Sequence, residues 1–125
     1  MQTITVKFGG TSLATASQIG KAAAVIRSDP ARRFVVASAP GKRTPDDTKV
    51  TDLLYRCCDA AAAGEDFSGT LTLIGARFGD IIRELGVAFD LDTELAQIRK
   101  HLETAPNRDY MAGRGEYLNS TILAA

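Results

Sequence analysis

A strand–helix–strand pattern fills the first 38 residues, and it restricts the possible folds more than any other feature of the sequence. Polar and apolar side chains alternate over residues 3–8, which predicts a strand. Apolar residues then recur every three or four positions from Ala16 to Ile26, which predicts a helix. Residues 34–38 are almost wholly apolar, as in a strand that is covered on both faces. Because the connection is long enough for a helix, we expect two parallel strands with a right-handed crossover.

Loop-forming residues mark the ends of these elements. Gly9-Gly10 ends the first strand, and Thr11-Ser12 offers an N-cap for the helix. Asp29-Pro30 then stops that helix, because proline cannot continue it. A polar stretch over residues 40–50, rich in loop formers and cations, separates the second strand from the helical remainder of the sequence.

Most of the remaining sequence is predicted to be helical. One helix starts at Thr51-Asp52, a good N-cap pair, and closes at Gly64. The clearest helical stripe runs from Leu71 to Leu85, and a shorter one lies within residues 92–103. We expect residues 51–103 to pack on the sheet as a helical pair.

The end of the sequence is unusual. Glu116 is predicted to open a helix with Leu118, Ile122 and Ala125 on one side, and the sequence stops inside that pattern. No glycine, asparagine or basic residue follows to cap it. A sheet of two strands is too small to pack against several helices, so we expect these residues to be part of a larger domain.

The composition excludes several classes of function. Fifteen Lys and Arg residues balance fifteen Asp and Glu residues, and the pI is near 6.6, so the chain lacks the net basic charge that favours binding to nucleic acids or anionic membranes. No apolar run approaches the roughly 18 residues that cross a bilayer, and residues 1–10 lack the pattern of a signal peptide. We therefore expect a cytoplasmic protein with no nucleic acid and no membrane as partner.

The cysteines and the histidine predict neither a disulfide framework nor a metal site. Cys57 and Cys58 are neighbours in the sequence, and neighbouring cysteines rarely bridge to each other. His101, the single histidine, lies far from them in a helical pattern. All three are interpreted as ordinary helix residues.

The turn after the first strand is the first candidate for chemistry. A strand, two glycines and a helix place backbone N–H groups against an anion, and Lys7 at the end of the strand reaches the same place. A Walker loop requires a glycine five residues before a Gly-Lys pair, and Gly41-Lys42 in the later loop has none. Residues 9–12 do not fit the dinucleotide fingerprint G-x-G-x-x-G either.

Four ordered motifs resemble those of one enzyme family. Residues 7–12, Lys-Phe-Gly-Gly-Thr-Ser, resemble the signature that opens aspartate kinases of the amino acid kinase family. Residues 35–42 resemble the second-strand motif of those enzymes, and residues 49–54 resemble the helix start that follows it. Residues 114–119, Arg-Gly-Glu-Tyr-Leu-Asn, resemble their RGE-type segment. Related kinases of glutamate, acetylglutamate, carbamate or UMP do not typically combine Phe-Gly-Gly-Thr-Ser with a later Gly-Glu.

The resemblance implies a fold and a reaction. The fold is α/β, a three-layer α/β/α sandwich of the amino acid kinase (carbamate kinase-like) type, with a largely parallel sheet and a helical insertion. Residues 1–125 would be its amino-terminal part, on the amino-acid-substrate side, without the nucleotide-binding half and the ACT domains. The reaction transfers the γ-phosphoryl group of ATP to the β-carboxylate of L-aspartate, the first step toward lysine, threonine and methionine. We expect this stretch alone to be inactive, and we expect the enzyme to be a homo-oligomer.

The resemblance also assigns roles to single residues. Two anions must approach each other in this reaction, so cations and N–H donors have to offset their repulsion. Lys7 is the implied catalytic residue, and the phosphates of ATP are assigned to Lys7, Phe8, Gly9, Gly10 and Ser12. L-aspartate is assigned to Ser38, Thr51 and Glu116, with Thr44 as the alternative to Thr51. ATP would enter with Mg²⁺, held mainly by the nucleotide and by the missing half, so no metal ligand is assigned here.

Simpler interpretations of the same residues stay open. Thr51 would serve only as a helix cap, and Glu116 would only favour a helix N-terminus electrostatically. Lys42 and Arg43 are either a solvated loop or a guide for substrate anions. The alternative function for the whole chain is a free-standing, non-catalytic α/β module that binds an anion or a partner.

Overall fold

The computed structural model describes residues 2–125. One helix lies between the two strands, and the other helices follow the second strand. The strands are β1 (Ile4–Phe8) and β2 (Arg32–Ala37). The helices are α1 (Ala16–Arg27), α2 (Val50–Ala62), α3 (Ser68–Leu85), α4 (Leu91–Thr104) and α5 (Arg108–Ala124), and a short 3-10 turn covers Thr11–Leu13. None of the described helices combines the length and the apolar character that a bilayer crossing requires.

The predicted parallel pairing of the two strands is confirmed. Val6 lies opposite Val35, and Phe8 lies opposite Ala37. Parallel strands present their carboxyl ends at the same edge, so the turn after β1 and the long loop after β2 leave the sheet side by side. This edge is where the candidate site lies.

One face of the sheet is covered and the other is open. Phe8 contacts the buried core formed largely by the helices, and Ala37 belongs to that core. On the opposite face the side chains of Phe34 and Val36 are 63% and 50% exposed. The prediction that the second strand is covered on both faces is therefore wrong for residues 2–125.

Two helices begin at other residues than predicted. α1 is capped by Thr15, whose Oγ1 accepts a hydrogen bond from the Gln18 N–H, whereas Thr11-Ser12 lies in the preceding 3-10 turn. α5 begins at Arg108, where the side chain of Asn107 accepts a hydrogen bond from the Tyr110 N–H. Glu116 thus lies in the middle of α5 rather than at its start.

The prediction that residues 51–103 pack on the sheet as a helical pair is wrong. α5, not the helices of residues 51–103, packs on β2, and α2 packs between α3 and α5. The stripe predicted on α3 faces the core, and Gly86 ends this helix in the left-handed conformation with φ of 67°. Its buried members are Leu71, Ile74, Phe78 and Ile81.

Candidate active site

Hydrogen bonds join the two loops at the carboxyl edge of the sheet. The Ser38 N–H donates to the Phe8 carbonyl at 3.2 Å, and the Gly41 N–H donates to the Gly10 carbonyl at 2.8 Å. The turn that carries Gly9 and the loop that starts at Ser38 are therefore one continuous backbone surface.

The glycines of this surface have different functions. A Cβ on Gly41 would come within 2.6 Å of the Gly10 carbonyl carbon, and a Cβ on Gly10 would lie 3.0 Å from the Ala39 oxygen. Both glycines therefore allow the two loops to touch. A Cβ on Gly9 would have nothing within 4 Å, so Gly9 faces open space that a ligand can enter.

The start of α2 is fixed to the same loop. The Val50 N–H donates to the Pro40 carbonyl at 3.1 Å, and the Val50 side chain is fully buried. Thr51 follows in the first turn of the helix and is half-buried. The N-cap residue is Lys49, without a side-chain cap, so the interpretation of Thr51 as only a helix cap is wrong. Thr44 lies out in the loop and is exposed.

The middle of α5 touches the loop after β2. A Cβ on Gly115 would lie 2.7 Å from the Ala39 Cβ, so the helix approaches the loop as closely as only glycine allows. One turn further on, the Asn119 Nδ2 donates to the Ser38 carbonyl at 2.8 Å, and this side chain is 1% exposed. Glu116 adjoins these contacts in the helix and is exposed. The four motifs, residues 7–12, 35–42, 49–54 and 114–119, thus form one connected region.

Two glycines of α5 provide a matched test of this contact. We expect Gly113→Ala to raise the free energy of unfolding by about 0.5–1 kcal/mol, because a Cβ there meets open space and alanine favours the helix. We expect Gly115→Ala to lower it by about 1–3 kcal/mol, because its Cβ overlaps Ala39. Urea unfolding of both variants measures the difference. A Gly115→Ala variant as stable as Gly113→Ala would contradict the close contact.

Arg114, the first residue of the last motif, points elsewhere. Its guanidinium lies between the rings of Tyr110 and Tyr117, 4.5 and 4.6 Å from their centres. The Tyr117 hydroxyl in turn donates to Glu94 of α4 at 3.2 Å. The cation–π contacts of Arg114 thus lie within α5, and the Tyr117 hydrogen bond is what joins this group to α4.

Lys7 and Glu116 are two charged residues of this region that form no ion pair among residues 2–125. Both are exposed. Lys7 extends from the same face of the sheet as Val36, its neighbour across the strands. A cation and a carboxylate without partners are available to bind charged groups of a substrate.

Two arginines and one carboxylate stabilise the loop after β2. Arg43 binds Asp47 through its backbone N–H and through its guanidinium, with a closest distance of 2.7 Å. These hydrogen bonds hold the pKa of the Asp47 carboxyl far below its usual range. Arg77 of α3 donates to the same carboxylate at 3.4 Å, and burial lowers the pKa of this guanidinium. Arg43 is therefore part of an ordered loop rather than a freely solvated cation.

Two residues of this region had no role assigned from the sequence: Arg77 lies outside the four motifs, and Asn119 is the last residue of the fourth. Each occupies a core-facing position of its helix: Arg77 lies between Ile74 and Ile81, and Asn119 is buried next to Leu118. A polar residue within an apolar stripe was the available signal, since buried polar groups require hydrogen-bond partners.

No metal site emerges among residues 2–125. No group of three or more His, Cys, Asp or Glu side chains is placed to hold an ion there. Cys57 and Cys58 are both buried and free, and burial raises the pKa of the Cys57 thiol to about 11.

Comparisons with known proteins agree on one family. No family model matches the chain. The chain is 36% identical to aspartokinase 3 of Bacillus subtilis over 129 residues, which is 96% of this chain and 28% of that protein. It superposes on the crystal structure of Clostridium acetobutylicum aspartate kinase with a TM-score of 0.96 and 42% identity, covering 99% of this chain and 29% of that one.

A second solved structure supports the same fold. E. coli aspartokinase III, in complex with aspartate and ADP, superposes with a TM-score of 0.76 at 22% identity, covering 98% of this chain and 28% of that one. The chain thus spans less than a third of the length of the relatives it matches. Over that span, the chain is similar to aspartate kinases in both sequence and fold, in agreement with the resemblance of the four motifs.

Proposed function

We propose that the polypeptide to which these residues belong transfers the γ-phosphoryl group of ATP to the β-carboxylate of L-aspartate, forming 4-phospho-L-aspartate. The observation that carries this proposal is the meeting of four aspartate kinase motifs at one edge of the sheet. The reaction is the first step toward lysine, threonine and methionine. Residues 1–125 would form the amino-acid-substrate side of the catalytic domain.

The turn after β1 is proposed to bind the phosphates of ATP. The carbonyls of Gly9 and Gly10 accept hydrogen bonds from Ser12 and Leu13, and the first amides of such a turn have no partner inside it. These amides and the open space beside Gly9 suit an anion, and Lys7 adds a positive charge. The backbone of Phe8 and the exposed hydroxyl of Ser12 complete this proposed phosphate site.

The loop after β2 and α5 are proposed to bind L-aspartate. Ser38 begins this loop, Thr51 follows it in α2, and Glu116 lies beside the Gly115 contact with Ala39. Glu116 would pair with the α-ammonium of aspartate, while the hydroxyls of Ser38 and Thr51 would donate to its carboxylates. We favour Thr51 over Thr44, because Thr51 adjoins Val50, which is hydrogen-bonded to Pro40, whereas Thr44 lies further along an exposed loop.

The cosubstrate is proposed to enter as ATP with Mg²⁺. The ion, when bound, offsets the charge of the phosphates. Because residues 2–125 hold no cluster of metal ligands, we assign none of them to it. The relative from E. coli was solved with aspartate and ADP, which supports the binding of aspartate and an adenine nucleotide in this family. Action in the cytoplasm as a homo-oligomer belongs to the same proposal.

A hydroxamate assay for aspartyl phosphate tests the reaction. We expect the complete polypeptide to form aspartyl phosphate from ATP and L-aspartate, and the 125-residue chain alone to form none. Alone, the chain offers ATP exposed contacts worth about 0–1 kcal/mol each, too little to offset the cost of immobilising a nucleotide. Micromolar ATP binding or turnover by the isolated chain would contradict this division of the site.

The non-catalytic binding module keeps one observation in its favour. Phe34 and Val36 form an exposed apolar face of β2, which suits contact with other protein surface. The same assay separates the two functions, because a binding module forms no aspartyl phosphate in any context.

A further inference from the structure

The side chain of Arg77 is almost completely buried, and it lies where three backbone segments meet. It belongs to α3 and is 4% exposed. Its Nη2 donates to the carbonyls of Gly41 at 2.7 Å and Ala14 at 3.2 Å. Its Nη1 donates to the carbonyl of Thr48 at 3.1 Å and to the Asp47 carboxylate at 3.4 Å. One side chain thus satisfies three backbone carbonyls that would otherwise lack these donors.

Each of these segments leads directly to residues of the candidate site. Ala14 directly follows the 3-10 turn that contains Ser12, and Gly41 contacts Gly10. Thr48 precedes the helix start that carries Thr51. The guanidinium therefore links the proposed phosphate turn to both ends of the proposed aspartate loop.

We propose that Arg77 is a positioning residue of the aspartate side: it holds both ends of the loop formed by residues 41–48 against the turn after β1, without touching the substrate. This role rests on the proposed function. Three of its four partners, Gly41, Asp47 and Thr48, belong to that loop, and only one belongs to the segment after the phosphate turn. The loss of Arg77 should therefore affect aspartate more than ATP.

The chemistry of the site requires arginine at this position. A guanidinium is planar and directs its donors along several fixed directions, so it can bond carbonyls of three separate segments at once. A lysine ammonium concentrates its donors on one atom and cannot span the same set. Arg77→Lys therefore keeps the charge and removes most of the linkage, so this variant separates the effect of the linkage from that of the charge.

Hydrogen exchange on the 125-residue chain tests the linkage independently of activity. In Arg77→Lys we expect the amides of Gly41 and Val50, which bond the Gly10 and Pro40 carbonyls, to exchange roughly tenfold faster. We expect the amides of α4 to keep their rates. Arg83→Met is the matched control: Arg83 lies on the same helix, is 71% exposed and pairs only with Asp80 one turn away. Unchanged protection of residues 41–50 in Arg77→Lys would overturn the proposal.

Steady-state kinetics of the complete polypeptide test the effect on substrate. In Arg77→Lys we expect the KM for aspartate to rise about five- to tenfold, while the KM for ATP changes less than about twofold. A purely structural role would instead lower the amount of folded enzyme and leave both KM values unchanged. Equal changes in the two KM values would also overturn the proposal. If Arg77→Lys fails to fold, Asp47→Asn, which removes the carboxylate shared by Arg43 and Arg77, provides the same two comparisons.

The two measurements also separate this inference from the proposed function. If the wild-type polypeptide forms no aspartyl phosphate, the proposed function fails. Aspartate affinity by calorimetry then replaces KM, and a variant with wild-type aspartate affinity and faster exchange would overturn the positioning role.

Discussion

Lys7→Ala is expected to lower kcat of the complete enzyme by about a hundred- to a thousandfold, equivalent to roughly 3–4 kcal/mol of transition-state stabilisation. Phosphoryl transfer to a carboxylate brings two anions together, and a cation at the reacting phosphate offsets their repulsion. Lys7 is exposed at the end of β1, beside the turn that offers its amides, and has no ion-pair partner among residues 2–125. Its charge is therefore available to the transferred group.

The fold should tolerate this change, so the effect on rate can be read directly. Surface substitutions of this kind usually change stability by less than about 0.5 kcal/mol. Lys100→Ala, an exposed lysine of α4, is the control and should keep the wild-type kcat. A folded Lys7→Ala enzyme with near-normal kcat would remove Lys7 from the catalytic role.

The local elements could be predicted because short-range patterns determine them. The alternation in β1 and the stripe on α3 each reflect one buried side. The end of α3 depends on one residue, because Gly86 readily adopts the left-handed conformation that ends the helix. The parallel pairing of β1 and β2 followed from the length of the crossover. These features depend on neighbours within a few turns of the chain.

The start of α5 could not be predicted from the same patterns. Residues 108–114 are mostly polar and form no apolar stripe, and only Met111 among them is buried. The helix is nevertheless fixed there by the Asn107 cap and by Tyr110, whose ring stacks on His101 at 4.0 Å. A local cap and the contact with His101, rather than periodicity, thus start the helix before the motif.

The burial of single residues was the second feature that the sequence patterns did not predict. The apolar run of β2 was interpreted as doubly covered, yet Phe34 and Val36 lie on the open face of the sheet. Arg77 has the opposite character, because a charged residue of α3 is buried where three loop carbonyls meet. Both outcomes depend on which distant segments approach: the apolar stripe of α3 indicates that Arg77 is buried, but it does not identify the carbonyls that this side chain meets.

The position of Glu116 within α5 changes the interpretation of its charge. A carboxylate stabilises a helix only near its first turn, and α5 begins eight residues before Glu116. Glu116 is also exposed and has no ion-pair partner among residues 2–125. The helix-start explanation for this residue is therefore wrong, while its proposed pairing with the α-ammonium of aspartate stays a prediction.

Glu116→Gln is therefore expected to raise the KM for aspartate at least about tenfold, equivalent to roughly 1.4 kcal/mol, with the KM for ATP nearly unchanged. Glutamine keeps the shape of the side chain and removes the charge that would pair with the α-ammonium. The close contact of Gly115 with Ala39 holds the α5 backbone that carries this side chain, so the substitution leaves its position in the fold unchanged. Glu84→Gln, an exposed glutamate of α3, should change neither KM and is the control. Steady-state kinetics with each substrate varied in turn decide the matter: equal weakening for both substrates would show that Glu116 shapes the site as a whole rather than binding aspartate.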